Sequence, residues 1–322
     1  MEIHITKTLI QTQFEQVNKL WNEEYPINLQ NRFELLLIDA QNYNHYIIEE
    51  NNQILAWAVA FEKDDETRFS IIVNKEFQGK GLGSLLIERL KIDLGEFYGW
   101  VIDHDNDKKA NGDFYRSPLS YYQNMGFEVI EDQRIDNDIL KAVKIKNPVK
   151  VYAETARFIL REILPTDVDG LFELDSDAEV HKFLGNEPVK SKEQIVAVID
   201  FIRQQYVDFG IGRWAIVDKR TGNFVGWTGL KFVTEETNKH TNYYDLGYRL
   251  IKKYWGKGIA TETAKSVIDY GFTNLNIDNI FAIVHPENNN SKKVLDKLGF
   301  VYQETFEYDG EATNWLKLPK SN

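Results

Sequence analysis

A short glycine-rich motif occurs twice in this chain of 322 residues, and the repetition limits the possible fold more than any other feature. The first copy reads Gln78-Gly79-Lys80-Gly81-Leu82-Gly83, and the second reads Trp255-Gly256-Lys257-Gly258-Ile259-Ala260. Each copy follows an apolar segment typical of a strand and precedes apolar residues at helical spacing. Each copy therefore predicts a strand, a glycine loop and a helix in that order.

A Gly-Phe pair at the end of a helical segment follows each copy at a similar distance. The interval is 45 residues from Gly81 to Gly126 and 41 residues from Gly258 to Gly299. The two glycine motifs lie 177 residues apart, which is the length of a domain rather than of a solenoid repeat. We therefore predict two tandem domains that repeat one architecture.

The junction between the predicted domains lies between two segments that each look like a strand. Val143 to Lys146 is typical of a last strand, Phe158 to Arg161 is typical of a first strand, and Asn147-Pro148 marks the start of a linker. The chain length agrees, because about 150 residues is usual for one domain. The predicted bounds are residues 1–147 and 155–322.

Turn signals between apolar runs predict antiparallel strands in both halves. Asn51-Asn52 separates two such runs in the first half, and Thr221-Gly222-Asn223 does so in the second. Each half therefore begins as an antiparallel meander and continues into the strand, loop and helix of the glycine motif. We predict the α+β class, with a mixed, mostly antiparallel sheet flanked by helices in each domain.

Charge and composition exclude several classes of function. The formal charge of -12 disfavours nucleic acid as a partner and suits a cationic acceptor better. The chain has no cysteine, which excludes disulfides, thiolate metal sites and an acyl-cysteine intermediate. The histidines show no metal-ligand spacing, so no metal is expected. No apolar run approaches the roughly 18 residues of a membrane span, and residues 1–7 alternate as in a strand, so we expect a cytoplasmic protein without a membrane partner.

A glycine-rich turn that enters a helix is suited to bind an anion. Without a Cβ the chain approaches the anion closely, and consecutive N–H groups and the helix N-terminus point at it. Lys80 and Lys257 add positive charge near the two loops. Neither copy ends in the Gly-Lys-Ser/Thr of a P-loop, and neither has the three-glycine dinucleotide pattern. The loops therefore predict pyrophosphate binding without nucleotide hydrolysis.

These motifs resemble the GNAT superfamily of N-acetyltransferases, whose acetyl-CoA loop reads Gln/Arg-x-x-Gly-x-Gly/Ala. The first copy matches every position, whereas the second has Trp255 in place of Gln or Arg. The second half is similar to the ribosomal-protein N-terminal acetyltransferases over Tyr254 to Glu262, Arg157 to Arg161 and Asn288 to Ser291. In the first half the resemblance covers the loop, the strand before it and the segment from Ser120 to Phe127.

The resemblance implies acetyl-CoA as a co-substrate at each loop, and a primary amine as the acceptor in a direct transfer. The implied acceptor is a small-molecule amine or a protein N-terminus. The resemblance assigns cofactor binding to both hexapeptides quoted above and also to Val73, Leu250, Thr261 and Asn288.

In the first half the resemblance implies that Tyr122, four residues before the Gly-Phe glycine, protonates the departing thiolate. Tyr121 stands beside it, so we expect one ring to face the core and the other to face the cofactor. The general base stays open among Asp103, His104 and Glu66.

In the second half Leu295 occupies the place of that tyrosine. The resemblance implies that Ser291 contacts the thiolate and that Asn288 contacts the pantetheine arm, whereas capping of the following helix is the alternative role for both. Asp245 lies where related sequences carry an acidic residue. It is a candidate to accept a proton through water, to attract an ammonium group, or to form an ion pair with Arg249 on the same strand face.

Two further alternatives concern the whole chain. One domain could bind acetyl-CoA as a non-catalytic regulatory or structural module, with the other domain catalytic. An aminoacyl-tRNA-dependent peptidyltransferase also pairs two domains of this fold, but the acidic charge and the two intact loops argue against it. We also expect that the two domains can pack as a pseudo-dimer.

Overall fold

The computed structural model describes residues 2–320, and its internal contacts divide the chain into two compact units, Met1–Pro148 and Val149–Asn322. Each unit contains one β-sheet and its own hydrophobic clusters. None of the described helices has the length and apolarity that a membrane span requires.

The first unit contains a seven-stranded sheet in the order β1-β2-β3-β4-β5-β7-β6. Its strands are β1 (His4–Thr6), β2 (Gln41–Glu50), β3 (Gln53–Lys63), β4 (Glu66–Val73), β5 (Phe97–Val101), β6 (Glu128–Asp136) and β7 (Lys141–Asn147). Its helices are α1 (Gln11–Glu24), α2 (Phe33–Leu36), α3 (Leu82–Leu94) and α4 (Leu119–Asn124), with 3₁₀ turns at Ile27–Leu29 and Lys75–Phe77.

Strand β3 is buried on both faces because a helix covers each of them. Ala56 and Ala58 pack in one cluster with Leu86 of α3, whereas Trp57 packs in a second cluster with Val17 of α1. Successive residues of a strand point to opposite faces, so the alternation assigns one cluster to each side of the sheet. We call these sides the α3 face and the α1 face.

The second unit contains an eight-stranded sheet in the order β14-β15-β13-β12-β11-β10-β9-β8. Its strands are β8 (Val151–Glu154), β9 (Phe158–Glu162), β10 (Arg213–Asp218), β11 (Phe224–Val233), β12 (Tyr243–Leu250), β13 (Asn279–Val284), β14 (Val301–Tyr308) and β15 (Glu311–Pro319). Its helices are α5 (Val168–Asp175), α6 (Ala178–His181), α7 (Lys192–Phe209), α8 (Ile259–Thr273) and α9 (Asn289–Lys297), with 3₁₀ turns at Pro165–Asp167 and Lys252–Tyr254.

Most strand pairs in both sheets are antiparallel, which confirms the predicted α+β class. The expectation that Phe158 begins the first strand of the second half is wrong, because β8 precedes it and pairs with β9. Tyr152 of β8 stacks on Trp214 of β10 with ring centroids 4.4 Å apart. The residues between the predicted bounds, 148–154, therefore include a strand of the second sheet.

Among the described residues, each sheet has one parallel strand pair, which is short and involves the strand that precedes the glycine loop. In the first unit β4 and β5 pair only at Arg68 and Tyr98. In the second unit β12 and β13 pair at Tyr244 with Ile280 and at Asp245 with Phe281. After Arg68, β4 forms no further pairs with β5, and after Asp245, β12 forms no further pairs with β13. Each sheet therefore opens into a gap that ends at its glycine loop.

Candidate active site

The two glycine loops have the same backbone conformation. The φ angles are +76° and +82° at Gly79 and Gly81, and +71° and +72° at Gly256 and Gly258. A left-handed φ is unfavourable for residues with a Cβ, which explains glycine at all four positions. A Cβ at any of the four would meet no heavy atom within 4 Å. The space above each loop is therefore open to a ligand.

Both loops end at the N-terminus of a long helix that lacks a side-chain cap. Gly81 is the N-cap of α3 and Gly258 is the N-cap of α8. The N–H groups in the first turn of a helix have no partner within the helix, and the helix dipole places partial positive charge there. The open space and these N–H groups fit the pyrophosphate of acetyl-CoA in both units.

A side-chain hydrogen bond ties each loop to the end of the strand before it. Gln78 Nε2 donates to the carbonyl oxygen of Val73 at 3.0 Å, and Trp255 Nε1 donates to that of Leu250 at 2.7 Å. These residues occupy equivalent positions in the repeat. Tryptophan at the first position therefore departs from the sequence motif but preserves its hydrogen bond.

The remaining loop residues take equivalent positions in both units. The ammonium groups of Lys80 and Lys257 lie 4.5 Å and 5.5 Å from the ring centroids of Phe77 and Tyr254 in the preceding 3₁₀ turns. The first helical residues, Leu82 and Ile259, are largely buried, so they offer the pyrophosphate their backbone N–H groups. They are followed by Gly83 in α3 and by Ala260 and Thr261 in α8.

The first unit contains a cavity of about 1030 Å³ that begins at the glycine loop and is lined by Tyr121 and Tyr122. Tyr122 packs between Phe69 and Phe127, and burial raises its pKa well above the usual value. Tyr121 hydrogen-bonds through its hydroxyl to Ser84 at 3.3 Å. The ring of Tyr122 therefore packs in the core, and both tyrosines line the cavity.

The structure places none of the three candidate bases of the first half on the cavity wall, and two of them form ion pairs. Asp103 pairs with Arg134 at 2.6 Å, and Glu66 pairs with Lys144. Nδ1 of His104 accepts a hydrogen bond from the backbone N–H two residues later. Among the residues that the structure describes, the cavity wall includes none of the three.

The acidic residue on the cavity wall is Glu24, at the C-terminus of α1, which sequence reasoning missed. Its carboxylate accepts hydrogen bonds from the backbone N–H of Lys75 at 3.0 Å and from Gln78 Nε2 at 3.3 Å. It also pairs with Lys109 at 2.6 Å. Glu24 therefore holds the glycine loop against α1. Its position 54 residues before Gln78, outside both motifs, gives no sequence signal of this role.

In the second unit, Asn288 caps α9, because its Oδ1 accepts a hydrogen bond from the N–H of Ser291 at 3.1 Å. The capping alternative is therefore wrong for Ser291, which lies inside the helix. Its hydroxyl instead lies 2.8 Å from the hydroxyl of Tyr248 on β12. Burial raises the pKa of Tyr248 to about 12. Tyr248 is a second residue that sequence reasoning missed, and it brings a phenol to the site where Leu295 lacks one.

Asp245 does not join the Ser291 cluster. Tyr248 and Asp245 are three residues apart on one strand, so their side chains point to opposite faces of the sheet. Of the three alternatives for Asp245, the ion pair with Arg249 is wrong, because Asp245 pairs with Arg213 of β10 and Arg249 pairs with Asp175. Burial raises the pKa of Asp245, and the neighbouring Arg213 guanidinium opposes that rise.

A glycine makes the Asp245–Arg213 pair possible. Gly247 lies between the two residues on the face of the sheet that they share, and a Cβ there would lie 2.7 Å from Cζ of Arg213. The absence of that atom lets the Arg213 guanidinium lie against β12. Arg213 also donates to the carbonyl oxygens of Gly229 at 2.6 Å and Asp245 at 2.7 Å. This cluster stabilises strand pairing on the far side of the sheet from Ser291.

Comparison with known proteins agrees with this geometry. Residues 41–129 and residues 157–301 each match a family model described as an acetyltransferase (GNAT) domain. The uncharacterized N-acetyltransferase p20 of Bacillus licheniformis is 36% identical over 146 residues, which cover 45% of this chain and 80% of that protein. The uncharacterized N-acetyltransferase YoaA of Bacillus subtilis is 32% identical over 51% of this chain and 96% of its own length. Spermidine N(1)-acetyltransferase of Escherichia coli is 30% identical over 49% of this chain and 83% of its own length.

GNAT acetyltransferases take the acetyl group from acetyl-CoA, the donor that both loops fit. With two matching domains, two equivalent loops and two equivalent gaps, the chain belongs to the GNAT family of N-acetyltransferases and carries two of its domains in tandem.

Proposed function

We propose that this chain acetylates primary amines by direct transfer from acetyl-CoA, at one site in each unit. The observation that carries the proposal is the repeated combination of an open glycine loop, an uncapped helix N-terminus and a gap between parallel strands. Both loops keep the hydrogen bond to the strand end. Because both units have this geometry, we favour two catalytic sites over one catalytic site and one non-catalytic module.

The proposed reaction passes through a ternary complex. The amine nitrogen attacks the carbonyl carbon of the thioester, the carbon–sulfur bond breaks, and the sulfur leaves as a thiolate that takes up a proton. The amine loses its proton to water. Holding both substrates in one gap supplies much of the rate, so the site needs few catalytic side chains.

In the first unit we assign the proton donor to Tyr122. Its phenol reaches the cavity that starts at the glycine loop, and its raised pKa keeps it protonated. Val73 and the loop residues Gln78 to Gly83 would hold the pantetheine arm and the pyrophosphate. Lys80 adds positive charge beside them.

In the second unit we assign the proton donor to Ser291, with Tyr248 as a positioning residue. Tyr248 lies within hydrogen-bond distance of the serine hydroxyl and can pass a proton to it after the serine has donated. Leu250 and the loop from Trp255 to Thr261 would hold the cofactor, and Asn288 would contact its pantetheine arm. Asp245 is outside this proton path, because Arg213 binds its carboxylate on the opposite face.

The acceptor class in this proposal is a small-molecule amine or a protein N-terminus. The similarity to a spermidine N(1)-acetyltransferase supports an amine acceptor in general.

The test places a negative charge in each phosphate site separately. Gly81→Glu and Gly258→Glu should each abolish acetyl transfer at one site, because a carboxylate above the loop repels the pyrophosphate. The controls are Gly81→Ala and Gly258→Ala, which carry the same left-handed φ strain without the charge. Thiol release from acetyl-CoA with a panel of amines measures turnover. Full activity of the double glutamate variant would contradict the proposal.

A further inference from the structure

The cavity of the first unit passes through the gap between β4 and β5 and has walls on both faces of the sheet. Leu82 and Tyr122 line it and belong to the α3-face cluster, whereas Trp21 lines it and belongs to the α1-face cluster. The phosphate loop leads into α3, so the cofactor occupies the α3 side. The acceptor must then enter from the α1 side.

The wall on the α1 face is aromatic and cationic. Its aromatic residues include Trp21, Tyr25, Phe61 and Tyr115. The charged residues that line the cavity are one carboxylate, Glu24, and five cations, Arg32, Lys63, Arg68, Lys109 and Arg116. Three of these cations pair with carboxylates, so the unneutralised charge of this wall comes from Arg32 and Lys63, and its sign is opposite to the overall charge of -12.

Strand alternation places two of these cations on the acceptor side. Lys63 of β3 shares the face of Phe61, and Arg68 of β4 shares the face of Ile72; both Phe61 and Ile72 belong to the α1-face cluster. Arg32 directly precedes Phe33, which packs in the same cluster. These cations therefore stand on the face opposite the phosphate loop.

Arg32 differs from the other four cations, because each of those has a hydrogen-bond or ion-pair partner. Arg68 pairs with Asp64 and Glu66, Lys109 pairs with Glu24, and Arg116 pairs with Asp105. The ammonium group of Lys63 donates to the carbonyl oxygen of Ile38. Within residues 2–320, the guanidinium of Arg32 has no hydrogen-bond or ion-pair partner, although the residue is half-buried on the cavity wall. A guanidinium in such a position is suited to bind a carboxylate.

We propose that the acceptor of the first site is an amino acid with an apolar or aromatic side chain, whose carboxylate binds Arg32. The proposal rests on the acetyl transfer proposed above and names its substrate class. The aromatic wall would contact the side chain of the acceptor, and the amine would face the thioester beside Tyr122. Lys63 would add a second positive charge near the carboxylate.

The experiment uses the full chain with Gly258→Glu, so that only the first site turns over. Matched acceptors are L-phenylalanine against 2-phenylethylamine and L-leucine against 3-methylbutylamine, with kcat/KM measured by thiol release. We expect the amino acid of each pair to react at least about tenfold better, because a hydrogen-bonded charge pair contributes more than a neutral contact.

The variant Arg32→Gln should raise KM for the amino acids about tenfold or more and leave KM for the amines unchanged. Arg32→Lys should restore part of the loss, because it keeps the charge without the bidentate geometry. Lys19→Gln, which removes one exposed positive charge outside the cavity, is the control and should change neither value. Thermal unfolding of each variant verifies that it folds.

Equal turnover of amino acids and amines, or an Arg32→Gln variant with unchanged KM, would overturn this inference while leaving acetyl transfer intact. Absence of thiol release with every amine would instead contradict the proposed function. In that case calorimetry with L-phenylalanine and the CoA-bound protein still decides the inference. Binding that Arg32→Gln removes supports it, and absence of binding refutes it.

Discussion

Tyr122 and Leu295 occupy the same place in the two repeats, four residues before the Gly-Phe glycine, and both are buried. In the first unit the buried side chain ends in a hydroxyl that reaches the cavity. In the second unit it is an aliphatic residue of the core, and hydroxyl groups enter instead from Ser291 and Tyr248. In the proposed assignment, the proton donor therefore lies on a different element in each unit, although the fold is the same.

Tyr122→Phe should lower kcat at the first site by about 10²- to 10⁴-fold, the usual contribution of a general acid. KM for acetyl-CoA should stay unchanged, because the ring keeps its packing. Burial raises the pKa of Tyr122, so its acid form persists at every pH below its usual value near 10. We therefore expect no loss of rate between about pH 7 and 9 from deprotonation of this group. Tyr121→Phe, which removes the neighbouring hydroxyl, is the matched control and should retain most of kcat.

At the second site, Ser291→Ala should lower kcat strongly, and Tyr248→Phe should lower it by a smaller factor. If Tyr248 acts through the serine, adding Tyr248→Phe to Ser291→Ala should cause almost no further loss. The measurement is kcat of the full chain carrying Gly81→Glu. Additive losses in the double variant would show that Tyr248 does not act through Ser291.

Among the elements, the strand, loop and helix unit is the one most completely predicted from sequence. The loop needs a left-handed φ at four positions, and glycine adopts that φ most easily. The requirement therefore appears in the sequence as a pattern of glycines, at Gly79, Gly81, Gly256 and Gly258. The apolar spacing of α3 and α8 is local as well. Both features follow from residues close together in the chain.

Contacts between elements that are distant in the sequence cannot be predicted from such local patterns. Alternation along β12 correctly places Asp245 and Arg249 on one face, but it cannot show that Arg213 of β10 lies across Gly247 and takes the carboxylate. Strand register decides that contact, and register depends on the whole sheet. The role of Glu24 and the pairing of Tyr248 with Ser291 escape prediction because each contact joins elements that are far apart in the sequence.

The hydrogen bond between each glycine loop and the end of the preceding strand also connects two elements. Trp255→Phe keeps an aromatic ring but removes the donor to Leu250, and should raise Kd for acetyl-CoA at the second site about fivefold, since a typical hydrogen bond contributes about 1 kcal/mol. Trp255→Gln should bind nearly as well as the native residue, because Gln78 makes the equivalent bond in the first unit. Calorimetric titration with CoA measures both values. Weaker binding by the glutamine variant than by the phenylalanine variant would contradict this role.

For the whole molecule, the division of the chain has consequences for folding. None of the hydrophobic clusters of the described residues contains members of both units. Each unit therefore has the apolar core that an independently folding domain requires. We expect fragments 1–148 and 149–322 each to unfold cooperatively.

The start of the second fragment should matter, because β8 lies between the predicted bound at residue 155 and the observed one at residue 149. Fragment 155–322 lacks Tyr152, whose buried ring stacks on Trp214, and should lose about 3 kcal/mol of stability, the usual cost of removing a buried aromatic side chain. For a domain of this size the loss lowers Tm by about 6–12 °C, measured by circular dichroism. Within fragment 149–322, Tyr152→Ala should reproduce most of the loss. Tyr152→Phe should cause none, because in the described part of the chain the buried Tyr152 hydroxyl has no hydrogen-bond partner to lose. An equal Tm for the two fragments would show that β8 is dispensable and that the second domain begins at β9.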